Sequence, residues 1–249
     1  GVLRTNIEQY TALVEPLMKE VQQKEIKRIW LVASGSSHNA CYCARSFVEK
    51  VSGLEVRIIT PYTFTYYEND IKETDLVLVV TQSGLSTNAI EALKIIKKKQ
   101  CRAICLTGNK NSDVKDVADV VIEYGVGEEL VGYVTKGVSS LALFLDLFAI
   151  AYSGKTEYLE ELKKAVHLNE EMIGKATSFI QLHYKEFSSM SWVYSCGAGA
   201  NYGTALESAL KMGETIHIPS CCYEIEEYIH GPNLQLTPQY NVIFFDGND

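Results

Sequence analysis

The chain has 249 residues, 47% of them hydrophobic, with 23 basic and 31 acidic side chains giving a formal charge of -8. That composition supports a packed core, and the shortage of clustered positive charge excludes nucleic acid as the expected partner. No apolar run reaches the roughly 18 residues of a spanning helix and the start carries no signal-peptide pattern, so no membrane partner and a cytoplasmic location are expected. Seven cysteines, an odd number, read as reduced thiols; Cys41/Cys43, Cys101/Cys105 and Cys221/Cys222 lack the CxxC…CxxC spacing of a metal site, and no metal site and no cofactor are expected.

In chain order, Thr5 to Lys27 shows helical periodicity through Ile7, Leu13, Val14, Leu17, Met18 and Val21, with Pro16 as a kink. Alternation follows: strand Ile29–Ala33, helix Asn39–Val51, strands Val56–Thr60 and Leu76–Thr81, helix Ser86–Lys99, strand Arg102–Thr107, helix Val114–Ala118, strand Val120–Tyr124. Apolar strands spaced by helices predict an α/β fold, a parallel sheet covered by helices on both faces. Helices dominate from Thr135 to Phe187, and the most apolar stretch, Val138–Tyr152, reads as a buried core helix because Asp146 and serines interrupt it. A strand begins again at Trp192. The basic run Lys97-Lys98-Lys99 ends a helix, where cations favour the dipole, and needs no ligand.

An internal repeat is visible. A shift of 162 residues carries Trp30 onto Trp192, Gly35 onto Gly197 and Asn39 onto Asn201, and a shift of 165 carries Leu76–Gln82 onto Asn241–Gly247. The predicted organisation is a helical lead-in over 1–27, a first domain over 28–153, a helical linker over 154–187 and a second, incomplete domain over 188–249. After its first strand the first copy reads Ser34-Gly35-Ser36-Ser37 where the second reads Cys196-Gly197-Ala198-Gly199. One copy kept hydroxyls and the other lost them.

In open parallel sheets, ligands bind where strand ends lead into helix N-termini, whose free N–H groups attract anions. Ser34-Gly35-Ser36-Ser37 and Thr81-Gln82-Ser83-Gly84-Leu85-Ser86-Thr87 both fall at such positions. Either alone reads as ordinary helix capping; the pair makes a donor-rich cradle suited to a phosphate monoester. Farther along, Glu207, Lys211 and Glu214 are spaced i, i+4 and i+7, so one helix face carries all three, and His230-Gly231-Pro232 follows sixteen residues after Glu214. A salt-bridged solvated face is the plain reading, but Ala205, Leu206, Ala209, Leu210 and Met212 leave little other polar surface on that helix.

These loops, the segment from Glu129 to Thr135-Lys136, and Ala205–Glu214 with His230 together resemble the sugar isomerase (SIS) domains of phosphosugar enzymes. The likeness is to the isomerase half of glucosamine-6-phosphate synthase and to fructosamine-6-phosphate deglycases. It implies tandem SIS domains, each a flavodoxin-like three-layer sandwich. It implies that Ser36, Ser37, Thr81, Gln82, Ser83 and Ser86 bind the substrate phosphate. By the same resemblance Glu214 shuttles a proton between C1 and C2, His230 assists ring opening, and Glu207 and Lys211 support them; Glu227 also matches. The other histidines, His38, His167, His183 and His217, read as structural. A homodimer with shared active sites is implied as well. The second loop departs from the pattern at Leu85, where an acidic residue is common, and at Thr81, where serine is usual.

The chemistry fits independently of the likeness: aldose–ketose interconversion passes through an enediolate and needs a base between two carbons, with a cation to meet charge developing on oxygen. A phosphosugar aldose–ketose isomerase is therefore expected, possible variants being an amino-sugar-phosphate deaminase, a fructoselysine-type 6-phosphate deglycase or a non-catalytic phosphosugar sensor. A sensor has no need of the Glu/Lys/Glu/His set. No glutamine-hydrolysing domain stands within these residues, so glucosamine synthesis from glutamine is not expected of this chain.

Overall fold

The computed structural model describes residues 1–22 and 24–247. The chain divides into two compact units, Gly1–Thr156 and Glu157–Asp249. In the first, strands β1 (Arg28–Val32), β2 (Glu55–Ile59), β3 (Asp75–Thr81), β4 (Ile104–Thr107) and β5 (Val120–Glu123) form one sheet in the order β2-β1-β3-β4-β5, and every pairing is parallel. The strands are near-continuous runs of Val, Ile and Leu because both faces are covered; all seven residues of β3 are buried.

Two crossovers leave β1 and β3 in opposite directions along the sheet. From β1 the chain passes through α3 (Gly35–Ser52) to β2, and from β3 through α5 (Thr87–Lys98) to β4. Right-handed crossovers of opposite direction put their helices on opposite faces. On one face Trp30, Val32, Val77, Val79 and Cys105 pack against Ala89, Ala92, Leu93 and Ile96 of α5 and Phe64 of α4 (Pro61–Tyr66). On the other, α3 packs against α6 (Lys136–Ser153), which also meets the lead-in helices α1 (Val2–Glu8) and α2 (Tyr10–Val21). Helix α6 has the length and apolarity of a membrane span. Its burial of Leu141, Phe144, Leu145, Phe148 and Ile150 instead makes it the core helix expected from Asp146 and the serines.

The lead-in differs from expectation in one respect. It breaks at Gln9, whose φ of -108° and ψ of 20° are not helical, while α2 continues through Pro16. Helix α4 was not foreseen, although its signal is present: Thr60 caps it by accepting the Thr63 N–H, and Pro61 takes the first turn, where a missing N–H does no harm. The predicted helix over Val114–Ala118 is a short 3-10 turn, Asp113–Asp116.

The second unit contains α7 (Tyr158–Leu182), α8 (Tyr184–Ser188), β6 (Trp192–Gly197), α9 (Ala200–Lys211), β7 (Ser220–Glu224), α10 (Ile225–Ile229) and β8 (Tyr240–Phe245). Its parallel sheet runs β7-β6-β8, the same order as β2-β1-β3. Strand β7 escaped the sequence reading because Ser220-Cys221-Cys222-Tyr223-Glu224 is half-buried throughout and holds no β-branched residue. Tyr194, Cys196 and Tyr228 form its small core, and the Tyr194 hydroxyl donates to Gln235 Oε1 at 2.8 Å.

In the first unit, β1 is tied to the turn before β3 by one buried carboxylate. Asp75 Oδ2 accepts from Trp30 Nε1 and from the Lys72 N–H, both at 2.9 Å, while the Arg57 guanidinium lies 4.2 Å from the Trp30 ring centroid. Removing the carboxylate strands a buried indole N–H. Asp75→Ala is expected to lower stability by about 1–3 kcal/mol in denaturant unfolding; a loss below about 0.5 kcal/mol, the range of an ordinary surface change, would show that the tie contributes little.

Candidate active site

The sheet order reverses between β1 and β3, whose residues run in register from Arg28↔Asp75 to Val32↔Val79. Both hydroxyl loops therefore leave neighbouring strand ends at the topological switch point, the position where open α/β sheets bind ligands. The first loop enters α3 at Gly35, with Ser36 buried and Ser37 half-buried at the start of the helix. Ser34 precedes them in extended conformation without a side-chain cap bond. Beside them His38 stacks edge-on to Tyr42 at 5.1 Å, and burial lowers its imidazole pKa despite a hydrogen bond with Asn39.

In the second loop, Thr81 is buried at the end of β3 opposite Thr107. Thr107 Oγ1 and the Gly108 N–H both donate to the Gln82 carbonyl, at 3.3 and 3.0 Å. Ser83 Oγ accepts the Leu85 N–H at 3.2 Å, and Ser86, the N-cap of α5, accepts the Ala89 N–H at 3.4 Å. A hydroxyl that accepts from backbone keeps its own proton to donate, so capping and anion binding are compatible in these serines. Gly84 makes the loop possible: its φ is +68°, and a Cβ there would sit 1.7 Å from Ser112 Oγ.

Glu129 lies where the sequence reading gave a motif but no role. Its Oε2 accepts from Gln82 Nε2 at 2.6 Å and the Gly137 N–H at 3.3 Å; its Oε1 accepts the N–H groups of Thr135 at 2.9 Å and Lys136 at 2.6 Å. One carboxylate thus closes the N-terminus of α6 and holds the second hydroxyl loop. Burial alone pushes this carboxyl upward, but the bonds from Gln82 and the three backbone N–H groups outweigh it and hold it below the usual carboxylate range. The signal for it in the sequence was an acid six residues before Thr135, just ahead of the most apolar helix.

In the second unit, Glu207 and Lys211 lie on α9, but Glu214 does not continue that helix. The chain widens into a π turn over Met212–Ile216, closed by His217 at φ +61°. Such turns are rare and recur at functional sites. The expected straight i, i+4, i+7 face is therefore bent, yet the three side chains meet: Lys211 Nζ is 3.3 Å from Glu207 Oε1 and 2.6 Å from Glu214 Oε2. With side chains 15% exposed at Glu207, 22% at Lys211 and 34% at Glu214, this is a sheltered set and not a solvated face. Thr215 Oγ1 donates to the Lys211 carbonyl at 2.7 Å and steadies the turn.

His230 stands apart. It is exposed at the end of α10; its N–H donates to the Glu227 carbonyl, and its imidazole makes no hydrogen bond or ion pair among the described residues. Among the described residues there is also no group of three or more His, Cys, Asp or Glu placed to hold a metal ion.

Residues 24–151 match the SIS domain family, and the chain belongs to it. Among curated proteins it is 29% identical over 215 residues to the isomerizing glutamine–fructose-6-phosphate aminotransferase of Clostridium perfringens, covering 83% of this chain and 35% of that protein. The Thermotoga maritima enzyme of the same name is 28% identical over 229 residues, 88% of this chain and 37% of that protein. The chain thus spans about a third of the length of these relatives. Among solved structures, a Clostridium difficile 630 protein named as a phosphosugar isomerase superposes with a TM-score of 0.88 at 26% identity, over 99% of this chain and 72% of that one. The C-terminal domain of glucosamine-fructose-6-phosphate aminotransferase from Francisella tularensis shares the fold, with a TM-score of 0.86 at 23% identity, over 99% and 73%.

Gly84→Ala forces a side chain onto Ser112 in a left-handed backbone and is expected to lower stability by about 1–3 kcal/mol in thermal or denaturant unfolding; an unchanged midpoint would contradict the tight loop geometry. The Glu129 bonds have a pH signature. A carboxyl whose folded pKa is depressed contributes stability that is fully present above its ordinary value of 4.5 and is lost as pH falls through the lowered one. The melting-temperature gap between wild type and Glu129→Gln should shrink on acidification through that window, and a gap independent of pH would contradict it.

Proposed function

We propose that this chain is a phosphosugar aldose–ketose isomerase built from tandem SIS domains, with the hydroxyl loops at the first switch point recognising phosphate and Glu214 moving the proton. The observation that carries the reading is the Lys211 bridge. The Lys211 ammonium is held between two sheltered carboxylates, 3.3 Å from Glu207 Oε1 and 2.6 Å from Glu214 Oε2, so a cation stands beside the proposed base and Glu207 helps to keep it there. Glu214 takes the proton from C2 of the open-chain aldose, electrons move onto the carbonyl oxygen, and the resulting enediolate is met by the positive charge of Lys211. Return of that proton to C1, with the hydroxyl proton passing from O2 to O1 as the C2 carbonyl forms, gives the ketose. No redox cofactor enters this balance, since the proton lost from one carbon is regained at the next.

Phosphate recognition is assigned to Ser36, Ser37, Thr81, Ser83 and Ser86, with Gln82. Neutral donors and helix N-termini support it: they suit a dianion without a neutralising arginine. The assembly belonging to this reading is a homodimer. His230 is assigned to ring opening, a role that requires neighbours beyond those described for it.

The test is turnover of fructose 6-phosphate, glucosamine 6-phosphate and fructoselysine 6-phosphate by the purified chain and by Glu214→Gln. The expected result is interconversion of an aldose and a ketose 6-phosphate that falls at least about a hundredfold in the variant, with phosphosugar affinity within a few-fold of wild type. Activity retained in Glu214→Gln removes Glu214 as the base, release of lysine from fructoselysine 6-phosphate replaces the isomerase by a deglycase, and no turnover of any substrate overturns the enzyme reading.

A further inference from the structure

Gln82 lies in a position that folding alone does not explain. Its Nε2 donates to Glu129 Oε2 at 2.6 Å, while its Oε1 is buried without a hydrogen-bond partner. A buried, unpaired amide oxygen costs about 1–3 kcal/mol, so something must hold it there. The Glu129 carboxylate does so: turning the amide over would set Oε1 against Oε2, oxygen against oxygen. The backbone makes room for the same orientation, since a Cβ at Gly137 would fall 1.9 Å from Gln82 Oε1. Glu129 is itself fixed by the N–H groups of Thr135, Lys136 and Gly137, and so transmits the rigid end of an eighteen-residue core helix to one side chain in the hydroxyl loop.

We infer that Glu129 is a positioning residue for phosphosugar binding, which fixes the Gln82 amide so that its second Nε2 hydrogen is presented to the substrate phosphate. It rests on the phosphate role proposed above for the second loop. Glu129 acts through Gln82 in this inference, as a positioning and not a catalytic residue. Its depressed pKa agrees with the charged form that this grip requires.

The experiment measures binding of glucitol 6-phosphate, a sugar phosphate with no carbonyl to isomerise, by calorimetry to wild type, Glu129→Gln, Gln82→Met and the double variant, with KM and kcat measured alongside. Each single variant is expected to weaken binding about tenfold and to raise KM with kcat within about threefold, since positioning of a phosphate donor acts on uniform binding. The double variant should bind no more weakly than either single, because both break one connection. Wild-type affinity in Glu129→Gln, or losses that add in the double variant, would overturn the inference. Should Glu129→Gln fail to fold, Gln82→Met alone decides, and wild-type affinity there overturns it. Wild type that binds no glucitol 6-phosphate is a different result: it removes the phosphate role of the loops, and the inference with it.

Discussion

The structure of the first unit depends on the parallel pairing of β1 and β3 at the point where the sheet order reverses. Strands that are neighbours in space but send their helices to opposite faces leave a crevice between two loops, and the backbone N–H groups at both helix starts face it without helical partners. The fold supplies that crevice wherever it occurs. What is particular to this chain is the content of the loops: serines and a threonine in place of larger residues, a glycine that lets Ser112 approach, and a carboxylate that grips Gln82 from the start of α6. The Trp30–Asp75 bond matters because it holds the two strands in the register that makes the loops neighbours.

The second unit repeats the strand order on a smaller sheet and with opposite chemistry. Its first loop has lost the hydroxyls, and the helix that follows carries ionisable groups instead. An α-helix places i and i+4 side chains together, which suffices for Glu207 and Lys211. The π turn lets Glu214 come to the same ammonium from the far side. Two carboxylates thus share one ammonium in partial shelter from water.

Much of this was legible in the sequence, for identifiable reasons. The strands of the first sheet are apolar on both faces, so their runs of Val, Ile and Leu announce a parallel sheet, and the punctuation of Ser, Gly and Thr marks the strand ends that matter. Asp146 and the serines distinguish α6 from a spanning segment in the sequence itself. Half-buried β7 had no such contrast, and the lead-in breaks at Gln9 and not at Pro16, with α1 and α2 each packed on α6. The spacing of Glu207, Lys211 and Glu214 gave the right trio on too regular a helix. For Glu129 the sequence offers only an acid ahead of the most apolar helix and not its role, since its partners stand forty-seven residues upstream and six to eight residues downstream, and only folding brings them to one carboxylate.

The measurement that bears most directly on the central claim is a backbone-amide NMR titration of the chain with fructose 6-phosphate, set against unphosphorylated fructose. If the switch point holds the phosphate, the amides of Ser36, Ser37, Ser83 and Ser86 shift together along one binding curve with the phosphorylated sugar and stay still with fructose. Shifts confined to one loop, or absent from both while binding is observed elsewhere, would contradict the account.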